Sequence, residues 1–445
     1  MPSALEETEK AIAGLRLSDD VLRQISAKLL DQFNKGLGRA THNDAEVKMF
    51  VTYVRDVPDG TETGKYIALD LGGTNFRVLL ITIRGETFDV VSHVFAVPYT
   101  KMTGSGIELF DHIAECLKYF IKSRNVTGDT IPLGFTFSFP CQQDGLNSAR
   151  LIGWTKGFSC SDVVGKDVVQ LLCEALERKR VTNIKPVTLV NDTTGTLMAC
   201  SYKDRECRVG LIVGTGSNAC YMEKLENVEL FVGEKTGPAQ VIINTEWGAF
   251  GDKGSLDFIT TPYDKDIDKN SLNPGKQTFE KMISGMYMGE LVRRIAEKLA
   301  RDGILFKGKL SEKMTTVYAF KTKYVSMVEN DPKCDKGAPE VLAKMEQLGT
   351  PQDCECLKRI CEVVSTRASH LVATGIATIL NRLKRPSTAV GVDGSVYRFH
   401  PHFHRRMVAK LEQLVNPAYK FTVVLTEDGS GCGAAIAAAV AARHK

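Results

Sequence analysis

The run YIALDLGGTNFRVLLITI, residues 66–83, holds two apolar segments on either side of a polar corner. Tyr66-Ile67-Ala68-Leu69 and Phe76-Arg77-Val78-Leu79-Leu80 have the aliphatic and β-branched character of strands. Asp70 stands at the end of the first segment, just before Gly72, Gly73 and Thr74. An ionised carboxylate in such a run is costly to bury unless something compensates it. It is either a turn residue, of the kind hairpin corners use, or part of a metal or phosphate site at the end of the strand.

The pattern recurs. RVGLIVGTGSNACYMEK, residues 208–224, again reads strand, glycine-rich corner, strand, and in both copies the second strand starts at an Asn. This predicts a distant internal duplication: two related lobes, each with one glycine corner, facing a cleft. A chain of 445 residues is also long for a single core. A third corner, Gly429-Ser430-Gly431, precedes a helical run. Glycine lets backbone approach a ligand closely, and successive amides in such turns form anion-binding nests. The hydroxyls of Thr74, Thr215, Ser217 and Ser430 add donors, and a helix start favours negative charge. None of the corners matches G-x-x-x-x-G-K-[ST] or G-x-G-x-x-G, so a nucleotide is expected between two hairpins. Beside such a nest Asp70 reads as a Mg²⁺ residue acting through water, since Mg²⁺ keeps waters and uses one or two carboxylates with phosphates.

Working outward, LSDDVLRQISAKLLDQFN (18–35) is an amphipathic helix capped by Ser18. Strands are expected at 66–70, 76–84, 87–96, 131–137 and 186–190, and helices at 106–124, 161–179 and from 193. Residues 265–365 are mostly helical by pattern. A strand and turn follow at 387–401, then strand, glycine turn and helix at 420–442.

Composition is that of a globular protein, 43% hydrophobic and 25% charged, with a net charge of only +4. No basic block suggests a nucleic-acid surface, and no stretch reads as a membrane span. The polar start MPSALEETEK has no apolar signal region, and 12 cysteines without one imply reduced thiols and a cytoplasmic location. Cys354, Cys356 and Cys361 lack zinc spacing. His400, His402 and His404 read as a helix start with Pro401 in the first turn.

PVTLVNDTTGTLMAC, 186–200, repeats the puzzle of Asp70. Its apolar strand ends in Asn191-Asp192 before a helix. Asp192 is a helix cap or a carboxylate able to take a proton from a substrate hydroxyl, at the strand end where α/β sheets place ligands. Ser138, Thr155, Lys156, Asn218, Glu246 and Glu280 are further polar groups at positions where apolar or loop residues would serve. Together they form the amide- and carboxylate-rich set that a polyol needs.

These motifs, LDLGGTNFRV, FTFSFPC, WTKGF, VNDTTGT, GTGSNACY, EWGAFGD, FEKMISGMY and EDGSGCGAA, resemble those of the hexokinase family, in family order over residues 20–445. The resemblance is to a single-unit member of about 50 kDa. It implies an α/β fold of the actin-like ATPase superfamily, two ribonuclease H-like lobes closing over a central cleft. It implies an N-terminal segment (1–64) on the large lobe, a small lobe (65–198, with the helix 432–445) and a large lobe (199–431). It also implies ATP-dependent phosphorylation of glucose or another aldohexose at the 6-hydroxyl, the first step of glycolysis, with Mg²⁺ and ATP.

Carried over by residue, Asp192 is then the general base, assisted by Lys156. The hexose is held by Ser138, Thr155, Lys156, Asn191, Asp192, Asn218, Glu246 and Glu280. Asp70, Gly72, Gly73, Thr74, Asn75 and Arg77 form the first phosphate corner, and Gly214, Thr215 and Gly216 the second. Gly429, Ser430 and Gly431 lie near the adenosine and α-phosphate. Cys432 stands where the family commonly has a lysine, and the start lacks the apolar segment by which some members bind mitochondria. Competition by glucose 6-phosphate at Thr74, Thr215, Gly429 and Ser430 is a hypothesis of this reading, and a monomer is expected. A sugar sensor or ATP-binding scaffold without turnover is the rival reading, disfavoured by Asp192, Asp70 and Lys156 occurring together. A low-affinity glucokinase would use the same pocket.

Overall fold

The computed structural model describes residues 3–73, 75–85, 87–126, 130–154, 157–426 and 428–443. Two sheets carry the architecture. In the first, β2 (Thr63–Leu71), β3 (Asn75–Arg84) and β4 (Thr87–Ala96) form an antiparallel meander. The strands β5 (Ile131–Phe137) and β8 (Ile184–Val190) then add in parallel beside β2, giving the order β4-β3-β2-β5-β8. A separate hairpin, β6 (Cys141–Gly145) with β7 (Ser148–Leu151), lies between them in sequence.

The second sheet repeats this design. The strands β9 (Cys207–Val213), β10 (Ser217–Lys224) and β11 (Gln240–Asn244) form the meander, and β12 (Ser387–Asp393) and β13 (Lys420–Leu425) add in parallel beside β9. The order is β11-β10-β9-β12-β13, with the short β1 (Phe50–Val51) added at the β11 edge. The duplication visible in sequence only at one hairpin thus extends to all five strands of each sheet. The last strand of each set feeds a helix, Asp192–Lys203 after β8 and Gly429–Arg443 after β13.

Three apolar cores follow. One packs the second sheet under helices, with Phe33, Tyr221, Trp247, Phe250 and Phe279 at its centre. One lies beneath the first sheet, around Phe110, Phe120, Phe135 and Phe137. The third joins the sheets. Leu79 and Ile81 from one and Met222 and Ile242 from the other enclose the alanine-rich helix Gly429–Arg443 and the helix Asp192–Lys203. Small side chains let these two helices touch backbone to backbone: a Cβ at Gly433 would fall 1.8 Å from the Gly195 carbonyl oxygen. Cys432, on this helix, is buried in the same core.

Four expectations need correction. The helix expected from 161 begins at Val168, because Gly165 takes φ +80° and the Asp167 carboxylate caps the Val169 and Gln170 amides. Pro401 is not in a first turn. The helix starts at Phe403 with His402 before it, and His400 is buried with Nε2 3.2 Å from the Glu329 carboxylate. The helix Pro351–Leu383 is, by length and composition, apolar enough to cross a membrane, yet 89% of its apolar window is buried inside the protein, so it serves as a core helix. The hairpin β6–β7 and the strand β11 were not expected; CQQDG and SARL of the hairpin have neither alternation nor β-branched residues. The helical reading of 265–365 agrees with the structure.

Arg293 is fully buried and is held by Glu290 (2.6 Å), Glu297 (2.8 Å) and the Met314 carbonyl (2.9 Å). Burial opposes its charge, and the two carboxylates outweigh that, so its pKa stands above the ordinary value. Removing one partner of such a group strands the others without water. Arg293→Ala is expected to cost about 3–5 kcal/mol, read as a lowered denaturant midpoint. A loss below about 1 kcal/mol would show that the network carries no stability.

Candidate active site

The first corner is built on the β2–β3 hairpin. Asp70 and Arg77 are directly paired across it, and Arg77 Nη2 donates to Asp70 Oδ2 at 2.9 Å. Ser430 Oγ donates to the same oxygen at 2.9 Å, and Arg77 Nη1 reaches Asp428 at 2.6 Å. Burial works against the Arg77 charge; the bonds from Asp70 and Asp428 overcome it and raise its pKa above the usual range. The first corner and the start of the helix Gly429–Arg443 are therefore one hydrogen-bonded unit. The Ser138 amide donates to the Leu71 carbonyl at 3.1 Å, which brings Ser138 against Gly72. Asn75 opens β3. Thr74 lies outside the described residues, as do Thr155 and Lys156.

The second corner closes through the Gly214 amide on the Gly216 carbonyl at 2.9 Å, and leaves Thr215 exposed at its tip. Glu280 packs directly behind it. Its Oε2 accepts from the Ser217 amide at 3.0 Å and would lie 2.7 Å from any Cβ at Gly216. The third corner reaches the second through residues that the sequence reading passed over. Asp393, at the end of β12, accepts from the Gly429 amide at 3.3 Å and the Gly394 amide at 2.6 Å. Gly394, at φ +118°, has its Cα 3.5 Å from where a Cβ at Gly214 would stand. All three corners are thus contiguous, by way of Ser430, Asp393 and Gly394. The signal was present in VGVDGSV, a strand ending in Asp-Gly like the first corner.

The polyol set divides into two groups. On β10 and β11, Asn218 Nδ2 donates to Glu246 Oε1 at 3.1 Å and to Asn244 Oδ1 at 2.7 Å, and Asn244 Nδ2 donates to Glu246 at 2.8 Å. Asn244, like Asp428 beside Arg77, was missed: NTEWG drew attention to Glu246 alone. Glu246 itself takes φ +53°, a left-handed conformation costly for a side chain of its size. The other group starts the helix Asp192–Lys203. Asn191 caps it through the Thr193 amide at 2.9 Å, and Asp192 is its first residue, half-buried. A Cβ at Gly210 on β9 would meet the Thr193 carbonyl at 2.3 Å, so this helix end rests on the second sheet although β8, which feeds it, belongs to the first. Burial lifts the Cys220 thiol on β10 to about 12, with the Asp192 charge adding to it. Burial likewise lifts Cys141 on β6 to about 12, with Glu246 adding. The helix Asp192–Lys203 packs against β10 as well as β9.

Models of hexokinases match residues 7–202 and 208–440. Hexokinase-2 from Homo sapiens is 47% identical over 99% of the chain, and Hexokinase-1 from Homo sapiens 46% identical over 98%. A structure of a hexokinase from Schistosoma mansoni complexed with glucose superposes with a TM-score of 0.91 at 44% identity, covering 98% of this chain and 99% of that one. The chain belongs to the hexokinase family. Its fold is the two-lobed actin-like ATPase type, in keeping with its two related sheets. A second hexokinase structure agrees, with a TM-score of 0.84 and 31% identity. The chain spans about half the length of the curated relatives it matches, 48% in each case quoted.

Among the described residues no group of three His, Cys, Asp or Glu side chains could hold a metal ion. A single carboxylate beside glycine-rich backbone turns is nevertheless a donor pattern that hydrated Mg²⁺ can use together with phosphate oxygens. Asp70 fits it, with Oδ2 engaged by Arg77 and Ser430.

Proposed function

We propose that the chain is an active hexokinase, which transfers the γ-phosphoryl group of ATP to the 6-hydroxyl of glucose or a related hexose. The observation that carries this reading is the full-length likeness to a hexokinase solved with glucose. In this reading the lobes divide at about residues 65, 198 and 431, with 432–445 returning to the first. The residues up to 64 pack on the second, consistent with the contact of the helices Ala4–Ile12 and Asp19–Leu37 with the helix Pro351–Leu383.

Asn218, Glu246, Glu280, Ser138 and Asn191 hold the sugar hydroxyls, joined by Thr155 and Lys156. Asp192 accepts the 6-hydroxyl proton as that oxygen bonds to the γ-phosphorus, while the bond to the β-phosphate oxygen breaks and ADP leaves. Gly72, Gly73, Thr74 and Asn75 at the first corner, Gly214–Gly216 at the second and Gly429–Gly431 at the third present amides and hydroxyls to the phosphates. Arg77 holds Asp70 in place. Asp70 would hold Mg²⁺ through water, and the ion when bound offsets charge on the β- and γ-phosphates. Reduced thiols fit a cytoplasmic setting, and the free cysteines number 12.

The test is the initial rate of ADP formation with Mg-ATP against glucose concentration. Turnover that rises with glucose and saturates below millimolar supports a high-affinity hexokinase. Saturation only at millimolar glucose supports the glucokinase variant. Glucose binding without turnover would overturn the enzyme reading in favour of a sensor.

A further inference from the structure

The two acceptors read here as hexose ligands, Glu246 and Glu280, sit at the two ends of one segment of loops and helices, and two other carboxylates tie its parts together. After Glu246 the chain makes a short helical turn, Trp247–Ala249, and then a loop with Gly251 at φ +97° and Gly254 at φ +94°. Glu46, buried at 5% exposure, accepts from three amides of this loop: Gly251 at 2.8 Å, Lys253 at 2.9 Å and Ser255 at 3.3 Å. Its own amide is fixed by the Gln32 side chain at 2.8 Å, on the helix Asp19–Leu37. Asp252, in the middle of the loop so held, in turn accepts from the Gln277 and Thr278 amides at 3.1 and 2.9 Å. Those amides open the helix Thr278–Ile283, which carries Glu280 and has no side-chain cap of its own, Gln277 being left-handed at φ +60°. Asp252 is its cap, supplied from outside.

Apolar packing anchors the flanks of the segment, where Trp247, Phe250, Leu256 and Phe279 are buried. An open cavity of about 380 Å³ lies against the loop, lined among others by Gly251, Asp252, Lys253, Gly254, Thr278 and Lys281. Between those anchors Gly251, Asp252, Lys253 and Gly254 face the cavity, and hydrogen bonds to Glu46 fix the loop backbone there. The strained left-handed Glu246 at its start needs neighbours that over-determine it.

We propose that Glu46 is a positioning residue for the hexose site: its three amide bonds hold Asp252 under the helix Thr278–Ile283 and so set Glu280 against Glu246. The proposal rests on the hexokinase reading above. Glu46 touches no sugar. It acts from behind the loop, and its effect belongs to hexose affinity rather than to the phosphate corners.

The test compares Glu46→Gln, which keeps the size but turns an NH₂ donor toward the amides, with Gln32→Ala, which removes the anchor behind Glu46 and leaves its carboxylate intact. Glu46→Gln is expected to raise the glucose KM about tenfold, with kcat and the ATP KM within about threefold. The glucose Kd, followed by fluorescence of the protein's 2 tryptophans, one of them Trp247, is expected to rise in parallel. Gln32→Ala is expected to lower Tm without moving the glucose KM. A Glu46→Gln protein that loses Tm but keeps its glucose KM and Kd would overturn the proposal, and so would equal rises in the glucose and ATP KM. Failure of the hexokinase reading would appear separately, as a wild type without glucose-dependent turnover. The loop claim is then decided by amide hydrogen exchange at Gln277 and Thr278: faster exchange in Glu46→Gln supports it and unchanged exchange overturns it.

Discussion

Replacing Asp192 by alanine is expected to lower kcat by about 10²–10⁴-fold while glucose still binds, because a positioned general base contributes about that factor. Asp192 is the first residue of the helix Asp192–Lys203, which packs against β9 and β10, and it is half-buried. Its carboxylate also accepts from the Thr193 amide at 2.8 Å. A carboxylate in a first turn is worth about 0.3–1 kcal/mol to its helix, and Asn191 still caps the helix, so the fold is expected to survive the change. The measurement is kcat from ADP release together with glucose affinity from tryptophan fluorescence. A fall of less than about tenfold in kcat would remove Asp192 from the role of base. A fall accompanied by lost glucose binding would assign it to sugar binding alone.

The second large effect is structural. Gly433→Ala is expected to destabilise the protein by about 3 kcal/mol or more, at or beyond the upper end of ordinary overpacking. The new Cβ would lie 1.8 Å from the Gly195 oxygen and 2.3 Å from its carbonyl carbon. Both are backbone atoms of the facing helix, which no rotamer change can move aside. The same crossing leaves 2.7 Å between a Cβ at Gly195 and the Ser430 oxygen, and 2.0 Å between one at Gly134 and the Ala434 oxygen. Forcing these elements apart would shift Ser430 from Asp70 and open the first glycine corner as well. Denaturant midpoint and ATP KM are both expected to change, whereas Gly153→Ala, where a Cβ meets nothing within 4 Å, serves as the neutral control. A Gly433→Ala protein within about 1 kcal/mol of the wild type would show that the helices separate at little cost.

Glycine at 433 illustrates what single positions of the sequence conceal. AAIAAAVAA reads as a weakly patterned helix, because its burial comes from all sides: two sheets and another helix surround it. Glu46 is likewise one acidic residue in a polar stretch until the loop 251–255 folds over it. Asp393 and Asn244 gain their meaning from contacts with segments well apart in sequence, Gly429 and Asn218.

The sequence by itself determined most of the elements and the three glycine corners. Apolar runs bounded by Asp, Gly and Asn mark β2–β3 and β9–β10, since strand period and turn chemistry are local properties. Family motifs along nearly the whole chain marked the residues of the candidate site. Tertiary structure alone decided that the duplication extends through five strands in each sheet, and that Ser430, Asp393 and Gly394 join three corners into one surface. It also decided that the helix carrying Glu280 is capped by a carboxylate from another loop. Strand order, helix crossings and borrowed caps depend on contacts between residues far apart in the chain, and no local propensity encodes them.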